Sequence, residues 1–298
     1  MILATTAAAA ALLLASYAGV AGLVAQRFTS AQRRLPALGA GPGGCGARSV
    51  GFPARDGLAR IAAWYLPVPA AEAAPAPRGA IVFVHGKDAC RGDELKGGSR
   101  ALAQCLNEAG FAVLMIDLRG HGASSGARLT YGQRERFDVL GAVDWLRARG
   151  HARIGVLGAS MGAASTLLAA ADEPAIAAVV ADSAFADFGQ MIERQYRKLS
   201  GLPGFLLPGT LAIGRLLTGV ALQRVRPLEA ASRLGGRPCL LIHSAGDRFI
   251  PAADAKRLAA AAGAELWITE SEGHIGSYRA EPAAYTERVL AFFARALG

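Results

Sequence analysis

The chain has 298 residues, 52% hydrophobic and 18% charged, enough apolar material for one sizeable packed domain plus an added segment; this composition excludes a disordered chain. The balance is basic, Lys+Arg 32 against Asp+Glu 23 for a net +9, but the arginines are scattered and accompany no nucleic-acid motif, so no nucleic-acid partner is expected. Four separated cysteines (Cys45, Cys90, Cys105, Cys239) lack C-x-x-C or His/Cys ligand spacing, which argues against a zinc site or a disulfide framework.

The first element is an uncharged apolar stretch over residues 2–26. As a helix it would span roughly 37 Å, enough to cross a hydrocarbon core of about 30 Å. It reads as a membrane anchor. A cleaved export signal is the alternative, with Ser16-Tyr17-Ala18 as a small-residue cleavage site, although the basic start usual for a signal is missing. The first charges, Arg27, Arg33 and Arg34, follow the stretch and bias the rest of the chain toward the cytoplasm. Residues 27–47 then read as a linker, Gly- and Pro-rich from Pro36 onward. A chain beginning near Arg48 is expected to fold and act alone.

Residues 48–298 carry a different pattern. Val50, Phe52, Ile61, Trp64 and Leu66 around Asp56-Gly57 predict a β-hairpin. After an aperiodic loop over residues 67–78, short apolar runs alternate with helical segments. Strands are predicted over 80–84, 111–116, 154–157, 176–180, 239–242 and 266–268. Helices are predicted over 101–109, around Phe137, Leu140, Val143 and Leu146, over 161–171, around Leu258, and over 289–296. Fully apolar strands alternating with helices mean a mostly parallel sheet with helices on both faces, whose chemistry gathers at the carboxyl ends of the strands. Residues 185–232 exceed what a crossover needs and predict a small helical cap over those ends; Pro208 and Arg215 argue against a second membrane span there.

The polar motifs fall at strand ends. Gly158-Ala159-Ser160-Met161-Gly162 is a G-x-S-x-G pentapeptide directly between a strand and a helix. That setting exposes a serine oxygen on a sharp turn, with glycines where side chains would collide. A hydroxyl needs a base to accept its proton. Of the five histidines, His151 precedes the serine strand at the wrong edge, and His85, His121 and His243 suit turn or strand hydrogen bonding. His274, in Glu272-Gly273-His274, follows the last strand and is the best base. Asp247 closes the loop after the preceding strand and is favoured over Asp182 as the carboxylate that orients the imidazole. Ser160, Asp247 and His274 also follow the chain order expected of such a triad. Backbone N–H groups of Met161 and Lys87 are the expected oxyanion donors; the Lys87 side chain reads as solvated charge.

With His85-Gly86, Asp117-Leu118-Arg119-Gly120-His121-Gly122-Ala123-Ser124, the serine pentapeptide, Gly246-Asp247 and Gly273-His274 in view, the chain resembles the α/β-hydrolase superfamily from about Arg48 onward. The D-x-R-G-H-G-x-S stretch resembles the branch with monoglyceride-lipase-like and serine-aminopeptidase-like members. The resemblance implies an α/β-hydrolase fold with a cap, a triad of Ser160, Asp247 and His274, an oxyanion hole at Lys87 and Met161, and a structural role for Asp117, Arg119 and His121. It implies no cofactor and no metal. A small-molecule acyl substrate, cleaved at an ester or thioester through an acyl-serine, is expected. A serine peptidase acting on small peptides and a non-catalytic ligand sensor are the alternatives. The N-terminal apolar segment departs from many soluble members and implies membrane contact.

Overall fold

The computed structural model describes residues 2–36, 47–68 and 78–298. Cys45, most of the Gly/Pro-rich stretch and most of the loop after the hairpin lie outside the described residues. The elements in order are α1 (Ile2–Phe28), β1 (Arg48–Pro53), β2 (Arg60–Leu66), β3 (Gly79–Val84), α2 (Ser99–Glu108), β4 (Phe111–Ile116), α3 (Arg136–Arg147), β5 (Ile154–Ala159), α4 (Met161–Asp172) and β6 (Ile176–Asp182). Then follow α5 (Phe188–Ser200), α6 (Leu207–Thr218), α7 (Pro227–Ala231), β7 (Cys239–Gly246), α8 (Ala252–Ala262), β8 (Glu265–Glu272), α9 (Ser277–Ala280) and α10 (Pro282–Leu297).

Among the described residues the sheet has eight strands in the order β1-β2-β4-β3-β5-β6-β7-β8. The hairpin is antiparallel, β2 is antiparallel to β4, and every pair beyond β4 is parallel. The hairpin loop is wider than a two-residue turn: Ala54 N–H donates to Ala59 O at 2.8 Å, and Asp56 Oδ1 accepts from Leu58 N–H inside it.

Alternation along each strand splits the core in two. Val82, Val84, Leu114, Ile116 and Val156 face α3, α4, α7 and α8. Ile81, Phe83, Val113, Met115 and Leu157 face α2 and α10, where Leu102, Leu106, Val289, Phe292 and Phe293 complete the packing. With both faces covered, no position on the central strands is left for a polar side chain, hence their unbroken apolar runs. Chain order reverses about β3, with β4 on one side and β5 on the other. This is the switch point at which loops splay apart and leave a crevice.

The insertion between β6 and β7 holds α5, α6 and α7. Asp187 caps α5 by accepting from Gln190 N–H at 3.0 Å, and Gly201, with φ 73°, ends it. Pro208 stands in the first turn of α6, where its missing N–H breaks no helical bond. Gln195 of α5 donates to the Phe249 carbonyl at 2.8 Å, which fixes the insertion over the loop after β7.

The N-terminal helix differs from the appendage suggested by hydropathy. Its segment Thr5–Phe28 is long and apolar enough to cross a membrane, with hydropathy 2.0 and 11% of its window buried. A helix pair in the insertion passes the same test only jointly and is bent by 92°. Leu12, Leu13, Leu14 and Leu23 are exposed, whereas Ala21, Val24 and Ala25 are buried, Val24 clustering with Tyr196 and Leu206 of the cap. The Tyr17 hydroxyl donates to the Phe205 carbonyl and accepts from Gly209 N–H, both at 3.1 Å. The helix runs through Arg27 to Phe28, and residues 29–33, expected to be linker, are docked. Leu129 N–H donates to Thr29 O at 2.8 Å, and the Arg33 guanidinium reaches the carbonyls of Gly122, Ser124 and Gly126. Buried apolar contact and backbone bonding make this segment part of the domain's packing.

Candidate active site

β5 passes Ser160 straight into α4. Ser160 has φ 52° and ψ −116°, a sparsely populated conformation for a residue with a side chain. Its neighbours hold it there: Ser160 N–H donates to Asp182 O at 2.8 Å, and its carbonyl accepts from Ala164 N–H at 3.0 Å. The flanking glycines have a steric cause. A side chain at 158 would strike the Gly162 carbonyl, and one at 162 would strike the carbonyls of Val84 and His85.

The structure brings together the three residues singled out from the sequence. The Ser160 Oγ lies 2.7 Å from His274 Nε2, and His274 Nδ1 lies 2.7 Å from Asp247 Oδ2. Asp247 Oδ1 accepts from the N–H groups of Phe249 and Ile250 at 2.8 and 3.0 Å. Burial pushes the Asp247 carboxyl upward, but the His274 hydrogen bond and charge, with the two amides, outweigh it and hold it below the ordinary value. An ionised acceptor on that side requires the His274 proton on Nδ1 and leaves the Nε2 lone pair facing the serine. The imidazole is 21% exposed while the Asp247 carboxyl is sealed, so solvent reaches the base and not its partner. The Phe249 ring packs edge-on to the imidazole, 5.1 Å between centroids.

The loop after β3 sits against the serine: a Cβ on Gly86 would lie 3.2 Å from that of Ser160. Lys87 follows, and its ammonium is paired with Asp88, where solvated charge was expected. Met161 opens α4, at a position whose N–H has no acceptor within its own helix. Glu94, 5% exposed, holds the β3 loop by accepting from the N–H groups of Gly86 and Leu95. Its carboxyl is raised, chiefly by burial. Nothing in the sequence marks Glu94, because its stretch has no periodicity.

His85 and His121 brace the same loop. Leu118 N–H donates to His85 Nε2 at 3.0 Å, and Asp88 N–H donates to His121 Nε2 at 3.1 Å. Their Nδ1 atoms face the carbonyls of Gly86 and Arg119 and therefore carry the protons. Both rings are neutral: burial lowers each to about 4, and the neighbouring His85 further depresses His121. Asp117 accepts from the N–H groups of Arg91 and Ala123 at 2.7 and 2.8 Å and pairs with the Arg91 guanidinium. A side chain at 122 would collide with that carboxylate. Arg119 bridges Asp138 and Asp56; burial opposes its charge, but the two carboxylates outweigh burial and raise it.

Of the other candidates, His243 comes near the triad, its Nε2 3.6 Å from Asp247 Oδ2. Asp182 is buried and takes hydrogen bonds from Ser183 Oγ at 2.8 Å and Tyr285 OH at 3.0 Å. His243 Nε2 meets the Ile250 carbonyl at 2.9 Å, and His151 meets Tyr65 OH at 3.0 Å. Among the described residues, no cluster of three or more His, Cys, Asp or Glu side chains is placed to hold a metal ion.

The sequence pattern of the family described as Serine aminopeptidase, S33 matches residues 75–224, a span that contains Ser160 and ends before Asp247 and His274. The uncharacterized protein YqkD of Bacillus subtilis (strain 168) is 33% identical over 190 residues, 61% of this chain and 62% of that protein. The uncharacterized protein YfhR of Escherichia coli (strain K12) is 28% identical over 219 residues, 71% of this chain and 66% of that protein. The chain thus spans a little under two thirds of the length of these relatives. Among solved structures, the Pyrococcus furiosus esterase Pf2001 superposes with a TM-score of 0.73 at 22% identity, over 91% of this chain and 99% of that one. Est1E from Butyrivibrio proteoclasticus, solved with ferulic acid, gives a TM-score of 0.62 at 21% identity, over 82% and 98%. The eight-stranded sheet and the matched family pattern lead to one conclusion: the chain belongs to the serine aminopeptidase S33 family and has the α/β-hydrolase fold.

Proposed function

We propose that the chain is a membrane-associated serine hydrolase that cleaves ester or thioester bonds of an apolar acyl substrate. The observation that carries this reading is the continuous relay from Ser160 Oγ through His274 to Asp247, with 2.7 Å at each link. The Ser160 hydroxyl proton passes to His274 Nε2 as Oγ bonds to the substrate carbonyl carbon. The carbonyl oxygen takes the displaced electron pair, and the N–H groups of Lys87 and Met161 stabilise it, each donor being worth about 3 kcal/mol of barrier. His274 then gives its proton to the departing alkoxide or thiolate as the carbon–leaving-group bond breaks. Water gives a proton to the same nitrogen as it attacks the acyl carbon; the carbon–Oγ bond then breaks, His274 returns the proton to Ser160 Oγ, and the acid leaves. Asp247 stabilises the imidazolium in both steps and fixes the tautomer.

Two features favour esters over aminopeptide substrates. The cavity beside the triad residue His274 offers apolar surface from Phe28, Met191, Ile192, Leu199 and Phe249, alongside the charged Arg27, Lys87 and Asp88. An aminopeptidase also needs a carboxylate free to hold the substrate ammonium, and Asp88, the carboxylate at the cavity, is engaged by Lys87 and by Gln32 N–H. The apolar length of α1 supports attachment to a membrane through this single helix. Turnover of aryl esters by the wild type, lost in Ser160→Ala, is the expected result. Turnover of aminoacyl amides alone would replace this reading with a peptidase.

A further inference from the structure

A cavity of about 370 Å³ lies where the end of α1, the cap helix α5 and the loops after β3 and β7 meet. Phe28 and Ala31 line it from the N-terminal segment, Met191 and Ile192 from α5, and Phe249 from the loop after β7, while Arg27, Lys87 and Asp88 put charge on the remaining wall. One of these touches the triad, and another is the chain neighbour of a residue that does. Lys87 follows the glycine that packs on Ser160, and Phe249 packs on the His274 imidazole.

The N-terminal wall is fixed to the domain beneath it as well as to the cap. Gln32 N–H donates to Asp88 Oδ1 at 2.8 Å, so the segment is tied to the β3 loop itself. The Tyr131 hydroxyl donates to the Phe28 carbonyl at 2.8 Å, and the Arg128 guanidinium reaches Gln26, Thr29 and Ser30. These ties hold the wall beside the cavity, and the neighbouring cap helix contributes the facing side.

Resting on the assignment of Ser160 as nucleophile, we propose that this cavity holds the acyl chain of the substrate, and that residues 28–31, the end of the membrane-type helix and the turn after it, set the chain length accepted. The ligand class is an ester of an unbranched fatty acyl group. Its carbonyl sits at Ser160 and its chain runs between Phe249 and the Phe28–Ala31 wall toward Met191 and Ile192. The apolar helix is then a component of the substrate site as well as an attachment.

Chain-length profiles of the detergent-solubilised full chain test this. With aryl esters from acetate to laurate, wild-type kcat/KM should rise roughly fourfold per methylene until the cavity is filled. Ala31→Trp and Ile192→Trp narrow the space from opposite walls and should each lower the laurate-to-acetate ratio at least tenfold. Phe28→Ala enlarges it and should move the optimum to longer chains; it carries the test if a tryptophan variant does not fold, as judged by thermal melting. An unchanged ratio in folded variants would overturn the inference while leaving Ser160 as nucleophile. Absence of any Ser160-dependent ester turnover in the wild type would instead remove the reading on which it rests, and the inference with it.

Discussion

The strand-end loops and the N-terminal helix meet at one cavity, yet they are held in place by different forces. Ser160, Asp247 and the β3 loop are fixed by short backbone hydrogen bonds inside a sealed sheet, with Ser160 N–H on Asp182 O and two amides on Asp247. The N-terminal helix is fixed by small apolar contacts on the cap and by a few polar ties at its end, while most of its length stays exposed. Positions of the first kind tolerate almost no displacement, because every donor has one acceptor at a set distance. Positions of the second kind slide and adapt at modest cost, which suits a wall that selects among apolar chains.

The largest losses are expected on the rigid side. Asp247→Asn should lower kcat by about 10⁴-fold with little change in thermal melting, since the wrong imidazole tautomer then faces Ser160. Asp182→Asn should cost far less activity; equal losses would mean that the carboxylate role is shared. Removal of residues 1–47 should uncover Tyr196 and Leu206, each worth about 1.5–3 kcal/mol of burial, and lower the melting temperature. A truncated chain with unaltered stability and chain-length profile would return the helix to the status of an appendage. Glu94→Ala would leave the Gly86 N–H buried and unpaired, a loss of about 1–3 kcal/mol measurable by denaturant unfolding.

Acid acts on the rigid region through two of its buried histidines. His85 and His121 sit near 4 when folded and near 6.5 when unfolded, so the unfolded chain binds more protons between those values. Their contribution to stability is complete above about 6.5 and is lost as the pH falls toward 4. Ring nitrogen NMR should find both neutral at pH 5; titration of either near 6.5 would contradict the bracing role. The smallest effect belongs to the adaptable side: Tyr17→Phe removes the hydroxyl bridge to Phe205 and Gly209 for about 1 kcal/mol.

Sequence periodicity finds every strand and most helices of the core, because burial on two faces leaves runs that admit no polar residue. It stops short at the carboxyl ends. β5 continues to Ala159, β7 to Gly246 and β8 to Glu272, where glycines and polar residues lead into the site and hydropathy loses its contrast. Ser160 and His274 stand out from motif and chain order. Asp247 and Asp182 both stand at strand ends, and their partners separate them: Asp247 meets His274, whereas Asp182 takes hydrogen bonds from Ser183 and from Tyr285, 103 residues away. Ala21, Val24, Ala25 and Phe28 do recur at helical spacing, but within a uniformly apolar stretch no stripe separates the packed face from the exposed one. For the same reason hydropathy does not show that the end of this helix lines the cavity.

Every catalytic role proposed for this chain depends on a nucleophilic oxygen at position 160. Incubation of the full chain with a fluorophosphonate, followed by peptide mass mapping, should place one phosphonyl adduct on Ser160 and none on the Ser160→Ala variant. A wild-type chain that stays unmodified under conditions that label an ordinary serine esterase, or an adduct on another residue, would contradict it.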